Sequence, residues 1–336
     1  MSVLYLNGWQ VSASLRDRCI VAENVETREI TQVALFSLQR VVCIGCPHLS
    51  MPLLHQLLRN DIPVVFLSGK GRWLGTLMPQ SNGNASRRVR QYQSSAVPTI
   101  VLKIARALVD AKIHNMRRML QRWSANRKQA ENAAQKNANR FLQECRRKLA
   151  RATTLDEIRG FEGTATACYF KRMDAFLPAG MPFVARSRQP PKNPVNALLS
   201  WTYAIVTAEI ETALRLHDLD PCIGYLHDLH LGRPSLALDL MEPLRAPLCD
   251  ALALRIINRK LLTPQHFEFN RETGGYYLKD EFKKIFFKEY ENNMERVFIE
   301  NVTGVPTTFR KVILRQVISL CQAFEENKEF QPFLNS

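Results

Sequence analysis

The spacing of apolar positions changes character near residue 80. Before it, short β-branched or aromatic runs (VLYL, RCIVAE, EITQVAL, RVVCIG, IPVVFLS, RWLGTLM) alternate with Asn, Gly, Asp and Pro, the pattern of strands and turns. One stretch, MPLLHQLLRND (51–61), interrupts this series with apolar residues at helical spacing and Pro52 in its first turn, which predicts a short crossover helix. The small-residue stretch SNGNAS (81–86) marks a boundary. Beyond it the helical period takes over, as in PTIVLKIARALVDAKIHNMRRMLQRW (98–123), where apolar and basic residues occupy different faces. The polar, Ala-rich stretch that follows, 124–152, fits one helix or a loop and a helix. The expected fold is α+β: a small N-terminal β-rich domain (1–80), a linker (81–97) and a large all-α C-terminal domain (98–336). No internal repeat is found.

Length and composition add bounds. A chain of 336 residues has room for two cores. The N-terminus has no basic region leading into an apolar core, and runs such as IPVVFL (62–67) are too short for a bilayer, so a cytoplasmic protein without a membrane partner is expected. The eight cysteines are then expected as reduced thiols, and Cys43 and Cys46, an isolated CxxC next to a buried run, as core residues. His48 and His55 have no acidic companions at ligand spacing and read as surface or packing histidines.

Charge changes the picture more. Net charge is +15, and residues 86–151 carry 17 Lys or Arg against three acids, while the remainder is nearly balanced. A one-sided excess of this kind is the footprint of a surface that neutralises phosphates. Phosphate loops, HExxH zinc sites, GxSxG nucleophile elbows and GxGxxG dinucleotide turns are all missing from the sequence.

Two stretches carry candidate chemistry. In TTLDEIRGFEGTATACYFKRM (153–173), Thr154 and Glu157 form a capping-box pattern, and Glu162 stands among small residues that let a bulky ligand approach. In LHDLHLGRPSLALDLMEP (226–243), Ser235 is the expected N-cap, and Asp239 and Glu242 share one helix face. Pro243 disfavours straight continuation of that helix. With His227 and His230 just before, the group reads equally well as a structural polar edge or as a site for Mn²⁺ or Mg²⁺.

GFEGTATACYF (160–170), RSRQPPKNPVNALLSWTYAIV (186–206), GYLHDLHLGRPSLALDLMEPLR (224–245) and GGYYLKDEFKKIF (274–286), with IPVVFLSGKGRWLGTL (62–77), together resemble the CRISPR-associated integrase, the metal-dependent endonuclease of CRISPR adaptation. The resemblance implies that Glu162, His227 and Asp239 bind the metal, with Glu242 as a second, supporting acid of the catalytic group. Asp228 and His230 then shape the loop, and Asn193-Pro-Val-Asn196 matches a family signature near the site. It further implies insertion of spacer DNA at CRISPR repeat boundaries by transesterification, a homodimer formed through the N-terminal domain, and a small ferredoxin-like companion dimer. Double-stranded DNA is the expected partner, with Arg87, Arg88, Arg117 and Arg118 as candidate phosphate contacts. The rival readings are a metal-dependent nuclease of branched DNA in repair and a non-catalytic DNA-binding scaffold.

Overall fold

The computed structural model describes residues 2–79, 83–127, 132–301 and 303–335. Two compact units emerge: Met1–Asn84 with Lys279–Phe287, and Ala85–Leu278 with Lys288–Ser336.

The first unit contains β1 (Ser2–Asn7), β2 (Val11–Arg16), β3 (Cys19–Asn24), β4 (Ile30–Ala34), β5 (Leu38–Ile44), β6 (His48–Leu49), α1 (Met51–Arg59), β7 (Val64–Leu67) and β8 (Trp73–Leu77). These strands build two four-stranded sheets, β1-β5-β7-β8 and β4-β3-β2-β6. β5 and β7 pair in parallel, so the chain must cross over between them. The helix α1 makes that crossover, with Pro52 in the first turn, where its missing N–H leaves nothing unpaired. Leu6, Ile20, Val41 and Val64 from the strands pack with Leu53 and Leu57 of α1 in one core. The strand β2, VSASLR, escapes the sequence pattern because serines dilute its apolar content.

The segment Lys279–Phe287 returns to this first unit. The Phe287 ring stacks on Tyr5 with centroids 4.1 Å apart. Buried Lys283 donates to Asp280 and to the Gly69 carbonyl. Residues 98–336 are therefore not one uninterrupted domain.

In the second unit the expected linker is largely helix, α2 (Ala85–Ser95), while Ser81 and Asn82 lie outside the described residues. The helices α3 (Pro98–Asn126), α4 (Ala133–Leu149) and α5 (Leu155–Met173) pack on one another. In the polar stretch 124–152, α3 ends at Asn126 and α4 begins at Ala133, with 128–131 outside the described residues, and Asn132 caps α4 by accepting from Gln135 N at 2.8 Å. Then come α6 (Pro194–Leu216), α7 (Ser235–Met241), α8 (Ala251–Asn258), α9 (Lys283–Met294), whose residues up to Phe287 belong to the first unit, and α10 (Phe309–Glu325). Two antiparallel ribbons, β9 (Phe267–Asn270) with β10 (Gly275–Leu278) and β11 (Phe298–Ile299) with β12 (Pro306–Thr307), are the non-helical exceptions.

The end of α7 matters most for the site. Pro243 and Pro247 cannot donate to the preceding turn, and the backbone passes through a 3₁₀ turn (Glu242–Leu244) and a π-helical turn (Arg245–Asp250) before α8.

Replacing Leu57, fully buried, with Ala should lower the unfolding free energy of the first unit by about 3 kcal/mol. Replacing Phe36, 91% exposed, with Ala should change it by less than about 0.5 kcal/mol. Urea unfolding of the two variants checks both values.

Candidate metal centre

The capping box forms as the sequence predicts and sets the start of α5: Glu157 N donates to Thr154 Oγ1 at 3.2 Å, and Glu157 Oε2 accepts from Thr154 N at 3.3 Å. Glu162 follows on the same helix, its Oε1 accepting from Thr166 Oγ1 at 3.0 Å. Around it α5 is smooth. A Cβ added at Gly160 or Gly163 meets nothing within 4 Å, and Thr164 and Ala167 are exposed. Arg159, one turn earlier, donates from Nε to Leu226 O at 2.9 Å and pairs with Asp228, tying the loop that carries His227 to α5.

Asp239 is fully buried on α7. Its Oδ2 accepts from Tyr225 N (2.6 Å) and Leu226 N (3.0 Å), and its Oδ1 from His227 N (3.1 Å) and His227 Nδ1 (2.6 Å). Four donors occupy the roughly four lone-pair positions of a carboxylate. Asp239 can only accept, so Nδ1 carries the imidazole proton and Nε2 is turned outward. Gly224 makes this geometry possible: a Cβ there would lie 2.7 Å from Ser235 Cβ and 3.0 Å from Asp239 Oδ2. The helix begins at Ser235 itself, with Pro234 as N-cap, and the Ser235 hydroxyl donates to Asp228 O at 2.8 Å instead of capping.

Glu242, one turn beyond Asp239, faces a different set of groups. Its Oε1 lies 3.7 Å from His227 Nε2 and 3.0 Å from Arg245 Nη2. Its Oε2 is 2.6 Å from Lys112 Nζ, yet has no well-directed hydrogen bond. The same ammonium pairs with Glu162 Oε1. Burial pushes the Glu242 carboxyl up, but Arg245, then Lys112 and His227, outweigh it and hold the group at about 2. Among the described residues no three His, Cys, Asp or Glu side chains stand at metal-ligating geometry, and the Lys112 ammonium pairs with both glutamates. The donor set nevertheless fits a hard divalent ion: two carboxylates and the imidazole nitrogen turned away from Asp239, one carboxylate oxygen without a directed donor, and a cation already between them.

Behind Glu242, the Arg245 guanidinium lies 4.9 Å from the Tyr203 ring, and Arg186 lies 5.1 Å from the same ring. Tyr203 and Tyr169 donate to buried Asp250 at 2.6 and 3.0 Å. Burial pushes the Asp250 carboxyl up to about 6 against those two hydrogen bonds. In the NPVN turn, Asn193 caps α6 by accepting from Asn196 N at 2.8 Å, and Asn196 Oδ1 accepts from Arg186 Nη1 at 3.0 Å.

Glu162, His227 and Glu242 are thus brought together with Asp239 beside them, while His230 is exposed. Lys112, Arg245 and Arg159 are the residues sequence reasoning missed. Lys112 carried a signal: it falls on the stripe of Ile104, Leu108, Asn115 and Met119, all buried. The arginine candidates divide. Arg87 is engaged by Glu325 (2.7 Å) and the His217 carbonyl (3.0 Å), and Arg88 by Asp218 (2.9 Å). Arg118 donates to Gln121 Oε1 at 3.1 Å, and the buried Arg117 Nε has no hydrogen-bond partner. No disulfide links the cysteines; Cys43 is buried and Cys46 exposed. No helix of the described residues is long and apolar enough to cross a membrane.

Residues 4–292 match the family model described as CRISPR associated protein Cas1. The chain belongs to the Cas1 family. A CRISPR-associated endonuclease Cas1 of Chlorobaculum tepidum is 34% identical over 84% of this chain and 83% of its own length. A CRISPR-associated exonuclease Cas4/endonuclease Cas1 fusion of Geobacter sulfurreducens is 34% identical over 88% of this chain, which spans about half (53%) of the fusion's length. Among solved structures, a casposase bound to integration product superposes with a TM-score of 0.86 at 21% identity, covering 99% of this chain and 93% of that one. A Cas6-RT-Cas1–Cas2 complex gives 0.81 at 26% identity, covering 100% of this chain and 36% of that one. The chain is accordingly a CRISPR-associated endonuclease of this family, as the resemblance implied.

Two outcomes follow from the buried charges. Lys112→Met leaves Glu242 with Arg245 and His227 but without its ammonium and should cost about 3 kcal/mol or more in chelator, read by urea unfolding. At about pH 5 folded Asp250 holds a proton that the unfolded carboxyl, near 3.8, has released. Its stabilising contribution is therefore complete below that range and is lost as pH rises through about 6. Unfolding free energies from acid to neutral pH should fall less in Asp250→Asn than in the wild type.

Proposed function

We propose that Glu162, His227 through Nε2, and Glu242 hold a Mn²⁺ or Mg²⁺ ion, and that Asp239 orients the histidine instead of ligating. The observation that carries this reading is the pair of glutamates drawn onto one buried cation, with His227 Nε2 3.7 Å from the second of them. Relative to the sequence expectation the two acids of α7 and its following turn exchange roles, because the donors on Asp239 leave no lone pair for an ion. When bound, the ion polarises the target phosphodiester and stabilises the leaving 3′ oxygen.

The protein's own groups do the rest. Asp239 holds the imidazole in the tautomer that keeps Nε2 free. Arg245 fixes one oxygen of Glu242, and Lys112 neutralises the carboxylates until the ion arrives. The open face of α5 at Gly160, Gly163, Thr164 and Ala167 lets a DNA backbone come close to Glu162. The 3′ hydroxyl of a captured short DNA attacks a phosphodiester at a CRISPR repeat boundary, and water in its place gives cleavage. Exposed bases of the 86–151 stretch supply phosphate contacts; Arg87 and Arg88, held by acids, contribute less than their sequence position suggested. Double-stranded DNA, a second copy of this chain and a small ferredoxin-like companion dimer are the partners, and the likeness to a Cas1 chain solved in complex with Cas2 supports the last.

Strand transfer of a labelled spacer duplex into a supercoiled repeat plasmid tests the chemistry, and Mn²⁺ titration calorimetry tests the ligand set. Glu162→Gln and Glu242→Gln should lose joining by about 100-fold or more together with Mn²⁺ binding. Asp239→Asn should weaken binding by roughly 10- to 100-fold without abolishing it. Wild-type Mn²⁺ affinity in Glu242→Gln, with none in Asp239→Asn, would restore Asp239 as the ligand. Cleaved but never joined products would favour a repair nuclease.

A further inference from the structure

The turn that carries Glu242 is gripped by a part of the chain that the chemistry above does not use. After α10, residues 330–335 form neither helix nor strand and lie back against α3 and α10. Phe330 and Phe333 are buried, and the Phe333 ring packs edge-on against Phe298 and Phe309. Three side chains hold the backbone of alternate residues, as a neighbouring strand would. Phe333 N donates to Gln316 Oε1 at 3.0 Å, and Asn115 Nδ2 donates to Phe333 O at 2.9 Å. Asn335 N donates to Asn115 Oδ1 at 2.7 Å, and His114 Nε2 lies 3.1 Å from Asn335 O.

The same two amides reach the turn on either side of Glu242. Asn115 Nδ2 also donates to Pro243 O at 2.6 Å, and Gln316 Nε2 to Leu240 O at 3.3 Å. Pro243, three positions after Leu240, and Pro247, four after Pro243, have no N–H to give these carbonyls. Asn115 and Gln316 are fully buried, so an amide group left without a partner would carry its whole desolvation cost. If residues 330–335 leave, the two amides must stand unpaired or turn, and in turning they release the carbonyls that flank Glu242. Asn115 also lies one helical turn from Lys112, the cation that both glutamates face. Cavities of about 750 and 220 Å³ lie where the segment crosses α3, so its hold is concentrated in the contacts of Phe333 and Asn335.

We propose that residues 330–335 are a positioning strap for Glu242, acting through Asn115 and Gln316, so that docking of the strap sets the affinity of the metal centre. The inference rests on the reading of Glu242 as a metal ligand. Asn115, Gln316 and Phe333 are positioning residues, with no contact to the ion or to the reacting phosphodiester.

Mn²⁺ titration calorimetry and amide hydrogen exchange on the full chain test it. Phe333→Ala loosens the strap and Gln316→Leu removes one bridge, and each should weaken Mn²⁺ binding about tenfold. In the metal-free variants the amides of 240–250 should exchange faster than in the wild type. The conservative Phe333→Leu should stay within about threefold of wild-type affinity. Leu262→Ala, at a fully buried position beyond α8, should lower the thermal midpoint and leave Mn²⁺ affinity within about twofold. Linkage is reciprocal, so in the wild type Mn²⁺ should slow exchange of the Phe333 and Asn335 amides by up to about tenfold, and those of β9 and β10 by less than about threefold. That last measurement needs no variant to fold. Wild-type affinity in Phe333→Ala and Gln316→Leu, with binding lost in Glu242→Gln, overturns the strap alone. An equal loss in Leu262→Ala makes affinity a matter of general stability and also overturns it, as does Mn²⁺ protection no greater at 333 and 335 than in β9 and β10. Wild-type affinity in Glu242→Gln overturns the ligand reading itself, and the strap with it.

Discussion

Two carboxylates buried or half-buried within reach of one another repel unless a positive charge stands between them, and in this chain that charge is the ammonium of Lys112. The helices are arranged around that requirement. The lysine comes from α3, Glu162 from α5, and Glu242 from the turn after α7, so three separate stretches converge on one point. A buried ion pair of this kind contributes little to stability compared with an apolar replacement. Its retention makes sense where the carboxylates serve a cation.

The backbone supplies the rest of the geometry. A regular helix would place Asp239 and Glu242 on one stripe with similar surroundings. Pro243 and Pro247 prevent that continuation, and the 3₁₀ and π turns that replace it aim Glu242 toward Lys112 while Asp239 stays behind, under the amides of 225–227. Gly224 is the counterpart on the loop side, since only a residue without a Cβ lets the chain come that close to Asp239. Arg159 then ties the loop to α5, and Arg245 holds the glutamate.

Much of this is legible in the residues. The apolar runs before residue 80 become strands, 51–61 becomes the crossover helix, and Thr154 with Glu157 caps α5 as their spacing requires. The i, i+3 relation of Asp239 and Glu242 is visible too, but which of them keeps free lone pairs depends on amides brought in from the preceding loop, a tertiary fact that spacing does not carry. Summing charge along the chain counts Lys112 among the phosphate contacts, although its place on the stripe of Leu108 and Asn115 marks it as buried. The same sum includes Arg87 and Arg88, and their acids, Glu325 and Asp218, are more than a hundred residues away. The return of Lys279–Phe287 to the first unit has no local signature, since it depends on Phe287 meeting Tyr5.

The central claim is that the cation between Glu162 and Glu242 is exchangeable for a divalent metal. Anomalous diffraction from crystals soaked in Mn²⁺ tests it most directly. The account predicts one peak at ligand distance from Glu162, Glu242 and His227 Nε2, with the Lys112 ammonium moved away and Asp239 still bound to its backbone amides. A peak ligated by Asp239 with Glu242 left on Lys112, or no peak at the glutamates at saturating Mn²⁺, would contradict it.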